Sequence, residues 1–163
     1  MLDILTPYSL FHRRSLKVDD IDTLVATPAL WLSITATGTI ENITDATAPL
    51  VAKMCMSALS SNKYESQDVR GGRVITVVDG GAVVAKIDTA GYCVVDGDSA
   101  AYTYTQGLPL RVAYESGAGN DCLVADLGKL MPAATGERAV AEVETIVGDV
   151  MTVKVYPVSV AAI

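Results

Sequence analysis

Histidine, tryptophan and phenylalanine each occur once in these 163 residues, cysteine three times, and charged residues make up only 19% of the chain. Each shortage closes a route to function. Covalent catalysis needs a nucleophile beside a base, and the lone imidazole, His12, lies in an N-terminal segment next to Arg13 and Arg14 with no nucleophile motif around it. Cys55, Cys93 and Cys122 are odd in number, far apart and without C-x-x-C spacing, which points away from a secreted disulfide framework and from a zinc site. Reduced, core-packed thiols are expected instead. No glycine-rich phosphate loop joins a strand to a helix; Gly117 and Gly119 form a bare G-x-G with no helical pattern after it. No apolar run reaches membrane-spanning length, and the N-terminus has its cations after its apolar residues, the reverse of a secretory signal. A cytoplasm-like compartment is expected.

The formal net charge of −7 opposes the basic field by which nucleic-acid-binding proteins displace counterions. His12, Arg13, Arg14 and Lys17 are a local exception, read as a solvated or partner-facing arm. Apolar residues make up 50% of the chain, most of them small. Little charge over so many small apolar residues is unusual for a free monomer and suggests surface that a partner covers.

What is present is β grammar. Arg73 to Ile87 holds two β-branched runs, Val74–Val78 and Ala82–Ile87, joined across Asp79-Gly80-Gly81, and reads as a hairpin because glycines reach the positive φ of tight turns. Further strands are expected at Pro109–Glu115, Cys122–Leu127, Ala139–Val147 and Val150–Val158, with Gly148-Asp149 closing the last hairpin. Ala29 to Ile43 gives two short strands or one bulged at Gly38. Leu50 to Leu59 mixes helix formers with strand-like alternation, and strand is preferred because it runs into a polar loop and then the hairpin. Tyr102 to Thr105 alternates like a short strand within a loop, and Met131 to Glu137 reads as a loop. The fold class expected is mainly β: a small barrel or β-tulip, or a sandwich, over residues 29–163, preceded by an extended N-terminal arm, residues 1–28.

Several constellations carry a structural explanation. Asp96-Gly97-Asp98 lacks the further ligands of a calcium loop and reads as a turn in which Asp accepts local backbone hydrogen bonds. Asp19, Asp20 and Asp22 read as a solvated strand edge. Glu142 and Glu144, two apart on a strand, share one face and discourage edge-to-edge association. No metal or other cofactor is expected.

The C-terminal half has a recognisable order: Tyr104-Thr-Gln-Gly107-Leu-Pro109-Leu-Arg-Val112, a glycine loop, Leu127-Gly128-Lys129-Leu130, then Val140-Ala-Glu-Val143 and Val150-Met-Thr-Val153-Lys-Val155. This cadence, across roughly residues 29 to 160, resembles the capsid decoration (cement) proteins of tailed bacteriophages. The resemblance implies a non-enzymatic β protein that assembles in the host cytoplasm and settles on the outside of an icosahedral head, commonly as a homotrimer, clamping neighbouring major capsid proteins. Residues expected to make contact are Leu5, Tyr8, Leu10, Phe11, Arg13 and Arg14 in the arm, with Trp31 near its base, chosen for apolar or arginine character outside the barrel pattern. Competing readings are a receptor- or carbohydrate-binding fibre module using Tyr102, Tyr104, Asp96 and Asp98, a small β-barrel enzyme using Glu142, Glu144 or Cys122, and a tail-tube or head-completion protein.

Overall fold

The computed structural model describes residues 1–18, 24–45, 47–49, 51–56, 74–117 and 122–163. Its strands in chain order are β1 (Leu2–Ile4), β2 (His12–Lys17), β3 (Trp31–Ile34), β4 (Ile40–Glu41), β5 (Ala52–Met54), β6 (Val74–Gly80), β7 (Val83–Ile87), β8 (Pro109–Val112), β9 (Leu130–Pro132), β10 (Arg138–Val147) and β11 (Val150–Ala161). They form a six-stranded sheet, β1-β7-β11-β10-β8-β9, a two-stranded ribbon, β2-β6, and a three-stranded sheet, β4-β3-β5, with every ladder antiparallel. The chain is mainly β.

Alternation produces the large sheet. Ala139, Ala141 and Val143 of β10, Met151, Val153 and Val155 of β11, and Val83, Ala85 and Ile87 of β7 are all buried, while Glu142, Thr152, Lys154 and Lys86 between them reach the outer face. Gly148, at φ +58°, and Asp149 close the β10–β11 hairpin between the paired residues Val147 and Val150. The positive φ is what a two-residue hairpin turn demands.

The Arg73–Ile87 segment departs from its sequence reading. Both runs are strands, but they are not each other's partners: β6 pairs with β2, and β7 lies between β1 and β11. Gly81, at φ +87°, turns the chain from one sheet into the other. Residues 2–17 follow it along the whole bend, with Leu2 opposite Ile87, Ile4 opposite Ala85, His12 opposite Gly80 and Lys17 opposite Val74. A Cβ on Gly81 would fall 2.9 Å from Phe11 Cα, so the two segments are in backbone contact at the corner. The result is one bent ribbon that changes sheets, as strands do at the corners of orthogonally packed β structures.

That division creates two main cores. Trp31, Met54, Val83, Ile87, Leu110, Leu130, Met151 and Val153 pack beneath the large sheet. Leu16, Leu24, Leu30, Leu32, Ile40, Cys55, Ile75 and Val77 form the second. Successive residues of the small sheet feed opposite cores: Trp31 the first and Leu32 the second, Met54 the first and Cys55 the second. The small sheet is therefore apolar on both faces, which is why Ala29 to Leu32 reads as a continuous apolar run rather than an alternating one.

Among the described residues no sheet closes into a barrel, because the edges of the large sheet, β1 and β9, do not meet. Of the two all-β architectures expected, the open, packed-sheet form is the one the chain adopts. Single bridges join the smaller sheets, Cys55 to Val77 and Val18 to Ile40. Other expectations are also corrected. Cys122–Leu127 is not a strand but a bridge followed by a 3-10 turn at Val124–Asp126, and β9 takes Met131 and Pro132, the first two residues of the expected loop Met131–Glu137, while 133–137 form the loop. Tyr102–Thr105 joins no sheet. Ala29–Ile43 resolves into β3 and β4, turned at Gly38 with φ +82°. Of Leu50–Leu59, the described part contains β5, while 50 and 57–59 lie outside the described residues.

Candidate functional site: an N-terminal surface and an inter-sheet cleft

The N-terminal contact candidates are placed by the corner of the bent ribbon. After β1, Leu5 N–H donates to the Val84 carbonyl at 2.8 Å, and Thr6 Oγ1 accepts the Val84 N–H at 2.7 Å. Pro7, with φ −54°, starts a 3-10 turn, Tyr8–Leu10, closed by Leu10 N–H donating to the Pro7 carbonyl at 2.9 Å. Phe11 then enters the first core, only 6% exposed. Anchored at both ends, the turn presents Leu5, Tyr8 and Leu10 at 46%, 60% and 66% exposure. The Arg13 guanidinium lies 4.8 Å from the Tyr8 ring centroid, and the Tyr8 and Phe11 rings are 5.5 Å apart. These contacts join Tyr8, Phe11 and Arg13 into one group. Arg14 is exposed but is the next strand residue, so it faces the other side of the ribbon. Trp31 is 4% exposed and belongs to the core, because β3 is covered on both faces.

The other candidates are engaged locally. Asp96 Oδ1 accepts N–H bonds from Asp98 at 2.9 Å and Ala100 at 2.8 Å, the turn geometry expected of it. Tyr104 packs edge-on to Tyr92 and Tyr102, and its hydroxyl donates to the Cys93 carbonyl, so the tyrosines face inward instead of forming an open aromatic platform. Burial pushes the Tyr104 phenol and the Cys93 thiol upward, away from the thiolate that cysteine chemistry requires. Cys93 and Cys122 share a small buried cluster with Ala113 and Met131, and the Cys122 thiol donates to the Glu115 carbonyl at 3.0 Å. Asp19, Asp20, Asp22 and Tyr64 lie outside the described residues. Among the described residues no group of three or more His, Cys, Asp or Glu is placed to hold a metal ion, and no helix is long and apolar enough to cross a membrane.

Glu142 is occupied by two neighbours. Lys154 Nζ is 3.2 Å from Oε1, and the Tyr156 hydroxyl donates to Oε2 at 2.9 Å. Burial, reinforced by Glu142, raises the Tyr156 phenol from its ordinary 10.0 to about 12. The folded chain therefore keeps a proton that the unfolded chain releases, so this contribution is complete below pH 10 and is lost as pH rises toward 12. A difference absorbance titration against Tyr156→Phe should show this tyrosinate appearing late. Glu142→Gln should bring it earlier, and an unchanged titration would exclude the carboxylate's part in the shift.

A second feature lies outside the sequence reading. A cleft of about 540 Å³ opens between β5, the β6–β7 corner and the β8, β10 and β11 part of the large sheet. Arg111, 5% exposed, forms part of its wall. Its Nε lies 3.0 Å from Glu137 Oε2, and its guanidinium carbon lies 4.9 Å from the Tyr114 ring centroid. Across the cleft, Lys53 Nζ lies 3.3 Å from Asp79 Oδ1 and donates to the Asp79 carbonyl at 2.7 Å. The available signal was Arg111 within the apolar strand Pro109–Val112, since arginine is rarely buried without a partner. Its partner, 26 residues later in a loop-like stretch, had no signal at all.

No family model, curated protein or solved structure matches the chain.

Proposed function

We propose that this chain is a non-enzymatic virion protein of the capsid-decoration kind, which binds the outside of an icosahedral phage head as a homotrimer and braces neighbouring major capsid proteins. The observation that carries the reading is the anchored turn with Leu5, Tyr8 and Leu10 outward and Arg13 stacked on Tyr8. Tyrosine and arginine dominate the energetics of protein interfaces, and a turn pinned by hydrogen bonds at its entry and by Phe11 at its exit loses little freedom on docking. The low charge and small apolar side chains of the chain agree with work done by covering shared surface. Arg14 is exposed on the face of the ribbon that it shares with Leu16 and stands apart from this group. Phe11 supports the surface from beneath, its ring 5.5 Å from that of Tyr8, whereas Trp31 lies in the core away from it, at the wall of the cleft.

The test mixes the purified protein with heads that lack it and measures bound copies against free concentration. Saturable, stoichiometric uptake is expected. Tyr8→Ala combined with Arg13→Glu should weaken it at least ten-fold, corresponding to about 1.4 kcal/mol or more. Uptake that never saturates, or that the double variant leaves unchanged, would refute the proposal. Sedimentation of the free protein distinguishes trimers from the rings expected of a tail-tube or head-completion protein.

A further inference from the structure

We infer that copies of this chain associate by strand addition, the exposed edge of β2 in one copy pairing with the exposed edge of the β10 tip in the next. Both edges are open. β2 pairs on one side with β6, and among the described residues its other side has only the bridge from Val18 to Ile40 beyond its end; His12, Arg13, Arg14 and Ser15 are all exposed. β10 pairs with β8 at Ala141 and Glu142, and its last backbone contacts on that side join Val143 to Gly107 and Leu108. Glu144 to Val147 then run on with β11 alone beside them among the described residues, after a register shift between Val143 and Thr145 at which the strand bends. Thr145, Ile146 and Val147 are exposed, Val147 at 78%. Runs of unpaired backbone N–H and C=O groups on open edges are templates for pairing with another chain.

Charge selects the occupant. β2 holds His12, Arg13, Arg14 and Lys17 and no carboxylate. From Val143 to Val153 the β10–β11 hairpin carries Glu144 and Asp149 and no cation. The neighbouring charges that could offset these are spoken for: Asp79, between the residues that face His12 and Arg13, lies 3.3 Å from Lys53 Nζ, and Lys154, one residue beyond the hairpin's cation-free stretch, lies 3.2 Å from Glu142. Like charges set opposite one another destabilise a strand pair, and unlike charges favour it. β2 is therefore unsuited to adding to another β2, and the tip to another tip, whereas β2 and the tip suit each other. β2 belongs to the ribbon and β10 to the large sheet, so the match is made between copies. A contact between unlike patches runs head to tail, and it closes as a ring where the rotation allows. The count of three in that ring rests on the function proposed above; the contact itself does not. The turn carrying Leu5, Tyr8 and Leu10 precedes β2 and stays available to the capsid.

Sedimentation velocity of the full chain over a range of concentrations reads the association. The parent should pass from monomer to closed trimer as its concentration rises. Arg14→Glu or Glu144→Arg alone should move that transition to a concentration at least ten-fold higher while circular dichroism remains that of the parent. The two substitutions together exchange the charges across the contact and should bring the transition back to within about three-fold of the parent, where independent structural damage would instead add. Hydrogen exchange at residues 144–147 should slow in the associated form. A parent that stays monomeric at every concentration, single variants that associate like the parent, or a combined variant no better than either single one would overturn the contact. No head enters the measurement, so this contact can fail while saturable uptake stands, and hold while uptake fails.

Discussion

A chain lacking residues 1–17 is expected to lose its cooperative thermal unfolding transition altogether, not merely to melt at a lower temperature. Those residues supply β2, the partner of β6 in the two-stranded ribbon, and β1, which covers an edge of β7. They also place Phe11 in the first core and Leu16 in the second, so their removal opens both at once. Burial of two such side chains is worth about 3–6 kcal/mol, and domains of this kind have net stabilities of only about 5–15 kcal/mol before two exposed strand edges are counted. Near- and far-ultraviolet circular dichroism during a thermal scan checks the point. A truncated chain that retains a sharp, parent-like transition would show that residues 1–17 are an appendage. Truncation is accordingly the wrong way to probe head binding, since it removes the fold along with the surface; the point substitutions at Tyr8 and Arg13 separate the two.

Gly128→Ala should give the largest loss of any single methyl addition, about 2–5 kcal/mol. Gly128 follows the 3-10 turn at φ +85°, its carbonyl accepts the Trp31 N–H at 2.8 Å, and its own N–H donates to the Ala113 carbonyl at 2.9 Å. It thereby ties β3 to the chain between β8 and β9. A Cβ there would sit 2.7 Å from the Trp31 carbonyl oxygen, a backbone atom that cannot swing aside. Left-handed backbone costs an L-residue about 1–2 kcal/mol, and forced overpacking adds about 1–3 kcal/mol. Gly107 separates the two effects: its φ is +81°, but a methyl group added there would meet nothing within 4 Å. Gly107→Ala should therefore cost only the conformational part, about 1–2 kcal/mol. Urea midpoints at constant m-value measure both, and equal losses at the two positions would contradict the close approach of Gly128 to β3.

The parts of the fold that depend on local chemistry were legible in the sequence. The β10–β11 hairpin could be read from its alternation and from Gly148-Asp149, because turn and strands are contiguous and register follows from the turn. Val74–Val78 and Ala82–Ile87 were equally legible as strands, but their pairing was not. The glycines at 80 and 81 signal a change of direction, and whether the strands fold onto each other or diverge depends on residues 2–17, far earlier in the chain. Cys122–Leu127 misled for the opposite reason: of its apolar residues only Cys122 and Leu127 join a small buried cluster around Cys93 and Met131, while Leu123 and Val124 are exposed, so hydrophobicity there carried no pairing information.

The candidate surface divides along the same line. Leu5, Tyr8, Leu10 and Arg13 were readable because apolar and arginine residues among Thr6, Pro7 and Ser9 fit no strand pattern, and the structure leaves them exposed. Phe11 and Trp31 have the same character in the sequence. Their burial is set by the corner and by the doubly covered small sheet, neither of which leaves a periodic trace. The cleft was invisible for a stronger reason. Its ion pairs, Arg111 with Glu137 and Lys53 with Asp79, join residues 26 apart in each case, and nothing local marks either as a pair.

Hydrogen–deuterium exchange of the protein, free and then bound to heads, tests the central claim most directly. In the free protein the amides of β2 that pair with β6 should exchange slowly, since the N-terminal segment is part of the folded body. On binding, new protection should appear at residues 5–14 while the strands of the large sheet stay unchanged. Fast exchange throughout residues 2–17 in the free protein, or protection on binding that bypasses residues 5–14, would contradict the account.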